Sequence, residues 1–359
     1  MSELLRKYGF QVETGVGGIE TSVKAVYDSG KPGLNVGFVG EFDAFPGMGH
    51  ACGHNLFGTT SSLAAVALKS VIDTVGGEVR VYGTPGEEGG ENGSAKASFV
   101  REGFFKDVDA ALCVHASRDG HILTCPSLAC APVDIQFHGK ASHAASAPEK
   151  GINALDAVIA VYNSINALRQ HLTSDVRIHG IITHGGDVPN VVPDYAAAKF
   201  YLRAAAAPTL DAVYKKVEDI VRGAALSTGA TGSMTPSQNR VDNTVITPSF
   251  DAVYAKELAA FGLTAEPPAS VKSIGSTDVG NVSQVVPTIQ PQIRISPGPI
   301  AGHSEAFKKA AGSKMGLDSV ALGGEVLART ALRLMTEPAL LASIQAEHRA
   351  QVARQSNPR

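Results

Sequence analysis

Cysteine, histidine and glutamate residues in this chain occur in short clusters whose types suit metal-assisted chemistry. The residues concerned are Cys52, His54, Glu87, Glu88, His115 and His303. A thiolate and an imidazole two positions apart, as in Cys52-Gly53-His54, can reach one ion, and the carboxylates and further imidazoles extend the donor set. Such donors suit zinc or manganese. The sequence therefore predicts a site for one or two divalent metal ions.

Each of these residues alone also has an ordinary structural explanation. A single histidine at the end of a strand is more often structural than catalytic. Cys52 next to His54 could be a small buried cysteine beside a histidine that caps a helix. The metal interpretation is favoured because metal-competent residues follow one predicted strand after another, where open α/β sheets bind their ligands.

Glu87 and Glu88 are adjacent, and Pro85, Gly86, Gly89 and Gly90 around them indicate a loop. In a regular strand the two side chains would point to opposite faces, but in a loop both can face one cavity. Two crowded carboxylates repel unless a cation neutralises one of them. The expected division is one metal ligand and one general base for an activated water. The alternative is a solvated acidic turn.

Three residues near the first cluster have less defined roles. Asp43 is expected to orient a metal ligand from behind rather than to bind the ion. Glu41 and His50 could each be a ligand, a supporting residue or an exposed residue.

Candidate substrate-binding residues lie further along the chain. His143 could donate a hydrogen bond to a developing oxyanion, Asn190 could hold a substrate amide or carboxylate, and Arg203 could grip a carboxylate through two hydrogen bonds. The alternatives are that His143 neighbours a helix N-terminus and that Arg203 is a surface charge.

The elements that position these clusters begin as alternating strands and helices. Apolar patterns predict strands at residues 34–39, 79–82 and 110–114, and helices at residues 56–75 and 94–102. Strands that alternate with helices through short links are typical of a parallel sheet covered on both faces.

The pattern changes after about residue 130. The chain then predicts a β-α-β-β-α-β order, with helices at residues 152–172 and 210–227, which fits a four-stranded sheet with two helices on one face. Long helices at residues 318–335 and 338–354 follow. We therefore expect a catalytic α/β domain formed by residues 1–130 and 243–359, with a smaller α+β domain inserted at residues 131–242.

Composition excludes several classes of protein. The chain has 359 residues, with 31 Lys and Arg against 34 Asp and Glu, a net charge of -3 and no basic stripe, so nucleic acid is not an expected partner. We expect no membrane span and, from the charged N-terminal residues, no secretory signal. Four cysteines are too few for a disulfide scaffold. The expected location is the cytoplasm.

Four segments together resemble the M20 metallopeptidase and amidohydrolase family, in the branch of the aminobenzoyl-glutamate hydrolases and the M20 dipeptidases. They are EFDAFPGMGHACGHN (41–55), GTPGEEGG (83–90), GKASHAA (139–145) and GSTDVGNVS (275–283). The resemblance implies a phosphorylase/hydrolase-like α/β catalytic domain with an inserted ferredoxin-like α+β domain that serves as a lid and dimerisation domain. It also implies two zinc or manganese ions per subunit.

The resemblance further implies a role for each matching residue. The metal ligands would be Cys52, His54, Glu88, His115 and His303. Glu87 would be the general base, and His143 would reach the active site of the other subunit of a homodimer. Asn190 and Arg203 would contact the substrate, a dipeptide, an N-acyl amino acid or an aminobenzoyl-glutamate-like amide.

Two other functions compete with amide hydrolysis. The chain could be a catalytically silent subunit that binds a ligand or a partner chain, although such a subunit has no physical need for a second acid beside a metal. A thiol redox protein is disfavoured because the sequence has no Cys-x-x-Cys motif.

Overall fold

The computed structural model describes residues 1–90, 93–268 and 275–356, and the chain forms two compact units. The first, here called the outer unit, comprises Met1–Ser127 and Asp242–Arg359. The second, here called the inserted unit, comprises Leu128–Val241. The chain thus leaves the outer unit once and returns to it.

Strands and helices alternate along much of the described chain. The strands are β1 (Gln11–Thr14), β2 (Val23–Asp28), β3 (Asn35–Glu41), β4 (Glu78–Thr84), β5 (Ala110–Leu112), β6 (His115–Ser117), β7 (Ala129–His138), β8 (Arg177–His184), β9 (Tyr195–Ala204), β10 (Thr231–Pro236), β11 (Thr288–Ile289) and β12 (Gln292–Arg294). The α-helices are α1 (Ser2–Lys7), α2 (His54–Val75), α3 (Ala95–Arg101), α4 (Ala154–Leu168), α5 (Ala207–Thr228), α6 (Pro248–Ala259), α7 (Val279–Ser283), α8 (Glu305–Ala311), α9 (Lys314–Thr336) and α10 (Pro338–Ser356).

The main sheet of the outer unit has six strands in the order β1-β2-β4-β3-β5-β11. The pairs β3–β4, β3–β5 and β5–β11 are parallel, as the alternation of strands and helices predicts. The expectation of a wholly parallel sheet was wrong, because β2 runs antiparallel to β4 and β1 runs antiparallel to β2. Strand β1 is largely exposed and β2 alternates between more and less buried residues, a pattern that antiparallel strands with one face toward water tolerate.

Burial explains why the central strands and α2 form where they do. Strands β3 and β4 are buried along nearly their whole length, and Phe38 and Val81 are fully buried. They belong to one hydrophobic cluster with Leu68 and Ile72 of α2 and Leu327 of α9. The sheet is thereby fixed against these helices, and the carboxyl ends of its parallel strands share one edge.

The inserted unit has the predicted β-α-β-β-α-β order, with a four-stranded antiparallel sheet in the order β10-β7-β9-β8. Helices α4 and α5 share its hydrophobic core with the sheet, for example through Val161 and Val217 against Phe137. Helix α4 is shorter than the predicted helix because Asn153 caps it, accepting hydrogen bonds from the backbone N–H of Leu155 and Asp156.

Within the described residues, no helix combines the length and the apolar character that crossing a lipid bilayer requires.

Candidate active site

One cavity of the outer unit collects most of the predicted site residues. Cys52, Glu87, Glu88, His115 and His303 all line this cavity, whose volume is about 250 Å³. The remaining predicted ligand, His54, is buried at the first position of α2 and lies within ligand distance of the others. The edge of the sheet thus brings together residues that lie far apart in the sequence.

The turn before α2 directs Cys52 and His54 toward the same place. Gly53 between them adopts a left-handed backbone with φ of 83°, and a Cβ atom there would lie 2.7 Å from the Cβ atom of Ala116. Only glycine fits this close approach without strain. As a result, the Cys52 Sγ atom lies 3.5 Å from the His115 Nε2 atom.

The donor atoms form two groups that share Cys52. Cys52, His54 and His115 form one group, and Cys52, Glu88 and His303 form the other, with the ligand atoms of each group within 4.8 Å of one another. A third group places Glu87 within the same distance of His54 and Glu88. A thiolate, imidazoles and a carboxylate are the donors that zinc binds in proteins. Two groups with a common cysteine are the arrangement that a pair of neighbouring ions requires.

Asp43 and the His115 backbone surroundings fix which ring nitrogen faces the centre. The His54 Nδ1 atom lies 3.2 Å from an Asp43 carboxylate oxygen, whose partner oxygen accepts a hydrogen bond from the Glu88 backbone N–H at 3.0 Å. The His115 Nδ1 atom lies 2.7 Å from the Ala116 carbonyl oxygen. Both rings therefore carry the Nδ1 proton and present Nε2, as metal-binding histidines do. Asp43 has the orienting position predicted for it.

Buried polar atoms at this centre support the fit of a divalent ion. Among the described residues, the His54 Nε2 and Glu88 Oε1 atoms are buried and have no hydrogen-bond partner. The charged neighbours nearest to them are Glu41, 3.3 Å from His54 Nε2, and His303, 3.3 Å from Glu88 Oε1. A cation among these atoms would satisfy them, so the residues present fit a metal ion.

The backbone at His303 is unusual for a residue that is not glycine. Its φ is 52°, in the left-handed region, and its side chain is half exposed at the cavity. Its backbone N–H donates to the Ala51 carbonyl at 3.1 Å, next to Cys52. Strained backbones of this kind concentrate at functional sites.

Burial shapes the electrostatics of the centre. It raises the pKa of the Cys52 thiol to about 12, despite the neighbouring His54. Burial and then the charge of Glu41 raise the pKa of Glu87 well above its ordinary value. Burial also disfavours the charged form of Asp43, but the hydrogen bond and charge of His54 outweigh it and lower the Asp43 pKa. A bound cation would favour the ionised thiol and carboxylates.

His143, Asn190 and Arg203 do not line this cavity and belong to the inserted unit. The structure brings the first two together, since the Ala144 backbone N–H donates to the Asn190 carbonyl at 3.0 Å. The His143 side chain is exposed, and its Nδ1 atom accepts a hydrogen bond from the Ser146 backbone N–H at 3.2 Å.

Arg203 is half-buried in β9 rather than a fully exposed charge. Its Nε–H donates to the His179 Nε2 atom at 3.3 Å, and its guanidinium lies 5.3 Å from the centre of the Tyr201 ring. His179, expected to be structural or exposed, is therefore a partner of Arg203.

Sequence reasoning missed the buried cation behind the site. The ammonium of Lys96 lies 2.7 Å from Glu41 and 2.6 Å from Asp278, and all three side chains are buried. Asp278 lies in the segment at residues 275–283 that carried part of the family resemblance, whereas a lysine between small residues in α3 gives no sign of burial. Gln290 and Gln292, which also line the cavity, were missed as well.

Comparisons with known proteins agree with this geometry. Residues 131–228 match the M20 peptidase dimerisation domain. The Xaa-Arg dipeptidase of Mus musculus is 35% identical over 325 residues, which cover 89% of this chain and 74% of that protein. This chain belongs to the M20 peptidase family.

Other M20 proteins are similar over shorter stretches or in structure. One of the two kinds of chain of the p-aminobenzoyl-glutamate hydrolase of Escherichia coli is 38% identical over 251 residues, covering 64% of this chain and 51% of that protein. The crystal structure of an aminobenzoyl-glutamate utilization protein from Klebsiella pneumoniae superposes with a TM-score of 0.70 at 19% identity, covering 92% and 88% of the two chains. The chain is accordingly an M20-type hydrolase.

Proposed function

We propose that this M20 hydrolase cleaves the amide bond of a small dipeptide, N-acyl amino acid or aminobenzoyl-glutamate-like substrate. One observation carries the proposal: Glu87 lines the same cavity as Glu88 but lies outside both donor groups that share Cys52. A carboxylate beside a metal centre, and not needed to hold it, is placed to act as a base. The names of the curated relatives, a dipeptidase and an aminobenzoyl-glutamate hydrolase, support this substrate range.

The residues divide the reaction among themselves. Cys52, His54, Glu88, His115 and His303 would hold two zinc or manganese ions. When bound, the ions lower the pKa of a water molecule and polarise the substrate carbonyl. Glu87 takes a proton from that water at its carboxylate as the new carbon–oxygen bond forms. Glu87 then gives the proton to the leaving nitrogen as the amide bond breaks, which yields a carboxylic acid and an amine.

We assign the remaining contacts to the inserted unit. His143 accepts a backbone hydrogen bond at Nδ1, so its ring presents a proton on Nε2 that can be donated to a developing oxyanion. Following the family resemblance, we propose that His143 does so in the other subunit of a homodimer. Asn190 and Arg203 are proposed to contact the substrate, Arg203 through its carboxylate.

The proposed homodimer forms through the inserted unit. Strand β8 is an edge of the antiparallel sheet, paired among the described strands only with β9, and it exposes Ile181 and Ile182. An exposed edge strand with apolar side chains favours pairing with a second chain. The match of residues 131–228 to a peptidase dimerisation domain supports the same assembly.

Release of free amine after removal and return of metal tests the proposed activity. Protein stripped with a chelator is assayed on Xaa-Arg dipeptides, N-acyl amino acids and p-aminobenzoyl-glutamate, with and without added zinc or manganese. We expect hydrolysis of at least one substrate class to disappear on chelation and return with metal. A folded protein that binds metal but cleaves none of them would instead be the silent binding subunit.

A further inference from the structure

A chain of buried charges lies directly behind the candidate metal centre. Lys96 is completely buried, and its ammonium lies 2.7 Å from the Glu41 Oε1 atom and 2.6 Å from the Asp278 Oδ1 atom. The Lys96 backbone N–H also donates to the other carboxylate oxygen of Asp278 at 3.0 Å. Asp278 therefore holds both the backbone and the side chain of Lys96 in place.

The free end of this chain faces a candidate metal ligand. The second carboxylate oxygen of Glu41, Oε2, lies 3.3 Å from the His54 Nε2 atom. Glu41 is the last residue of β3 and is completely buried, so its carboxylate has no access to bulk water. The proposed mechanism uses neither Glu41 nor Lys96.

The 3.3 Å separation is the distance expected between two ligands of one ion. Ligand bonds of about 2.0–2.2 Å in a tetrahedral arrangement place two donor atoms roughly 3.4 Å apart. By distance alone, Glu41 could therefore bind the same ion as His54. A fourth protein ligand would close the open position that a catalytic zinc site keeps for water or substrate.

Lys96 provides a competing partner for the same carboxylate. Because a buried ammonium must be paired, and because Asp278 fixes its position, the ion pair holds Glu41 through Oε1. We propose that Lys96 is a positioning residue that keeps Glu41 out of the coordination sphere of the ion on His54, so that a position stays open for water. This inference rests on the proposed metal centre.

A purely structural role for Lys96 makes a different prediction. If Lys96 only joins α3 to the rest of the outer unit, its loss lowers stability but leaves the set of metal ligands unchanged. If Lys96 positions Glu41, its loss adds Glu41 to that set. The two roles are separated by a spectrum of the bound metal, which stability alone does not alter.

The test uses full-length protein loaded with cobalt, whose visible absorption weakens as its coordination number rises. We expect Lys96→Met to lower the absorption and to tighten cobalt binding about tenfold, in the range of effects of residues surrounding metal ligands. Adding Glu41→Gln to Lys96→Met should restore the parent spectrum. Glu41→Gln alone and the exposed Lys314→Met, the matched control, should leave the spectrum unchanged.

Two outcomes overturn the role of Lys96 alone: an unchanged spectrum in folded Lys96→Met protein, or a changed spectrum in Glu41→Gln. If Lys96→Met does not fold, Lys96→Met with Asp278→Asn removes the charges as a pair and is held to the same expectations. If neither folds, Glu41→Gln decides. Parent protein that binds no cobalt would overturn the metal centre itself and this inference with it.

Discussion

At the scale of single residues, the site depends on side chains that sequence spacing could and could not bring together. The pattern Cys52-Gly53-His54 and the pair Glu87-Glu88 pointed to one centre because their residue types are unusual together. The partnership of Glu41 with Lys96 could not be predicted, since nothing in a sequence shows that a lysine is buried. Asp43 lies between these cases, since only the structure shows that it contacts His54 and Glu88.

Glu87 gives the most direct prediction at this scale. Glu87→Gln keeps the shape of the side chain but removes the base, so turnover should fall at least about a hundredfold, in the range of general-base contributions. Metal content, measured by elemental analysis, should stay at the parent value because Glu87 lies outside both Cys52 groups. The exposed Glu325→Gln is the control. Near-normal turnover with metal bound would rule out the role of Glu87.

At the scale of elements, apolar periodicity predicted the parallel strands and the order within the inserted unit. It missed β1 and β2, because short, partly exposed strands near a sheet edge carry little of the apolar signal. Helix α6 shows a competition between effects that periodicity also cannot decide. Asp251 lies in its first turn, where the helix dipole favours a carboxylate. Burial nevertheless dominates and raises the Asp251 pKa to about 6.

This raised pKa predicts how stability depends on pH. Between about pH 4 and 6 the folded chain keeps a proton on Asp251 that the unfolded chain loses, so the Asp251 contribution to stability falls as pH rises through this range and is constant above it. Asp251→Asn can still accept the hydrogen bonds from Thr124. At pH 7 it should raise the free energy of unfolding by up to about 3 kcal/mol, since each unit of pKa shift corresponds to about 1.4 kcal/mol.

Denaturant unfolding from pH 4 to pH 8 measures this effect. The gain in Asp251→Asn should shrink as pH falls toward 4, whereas the exposed Asp187→Asn should follow the parent at every pH. Parallel stability curves for Asp251→Asn and the parent would show that the buried carboxylate does not control stability.

At the scale of the whole molecule, the insertion separates two tasks. The outer unit holds the candidate metal centre, and the inserted unit carries the exposed edge strand β8 and the proposed substrate contacts. The sequence predicted this division because the order of strands and helices changes near residue 130. It could not show which edge of the inserted sheet is open, because strand order depends on pairings distant in the sequence.

The open edge predicts the assembly in solution. Ile181 is 64% exposed on β8, and Ile181→Lys places a charge on the proposed interface, so it should convert a dimer to a monomer. Leu226→Lys changes a residue that is 80% exposed near the end of α5 and should leave the dimer intact. Light scattering after size-exclusion chromatography distinguishes the two. An unchanged dimer in Ile181→Lys would exclude β8 as the contact.

The number of zinc ions bound per chain tests the shared-cysteine centre most directly. Titration of chelator-treated protein should give two ions per chain for the parent and one for His303→Ala, because His303 belongs to one donor group. Cys52→Ala should weaken both, since Cys52 belongs to each group. A parent protein that binds fewer than two ions, or a Cys52→Ala variant that still binds two with parent affinity, would contradict the account.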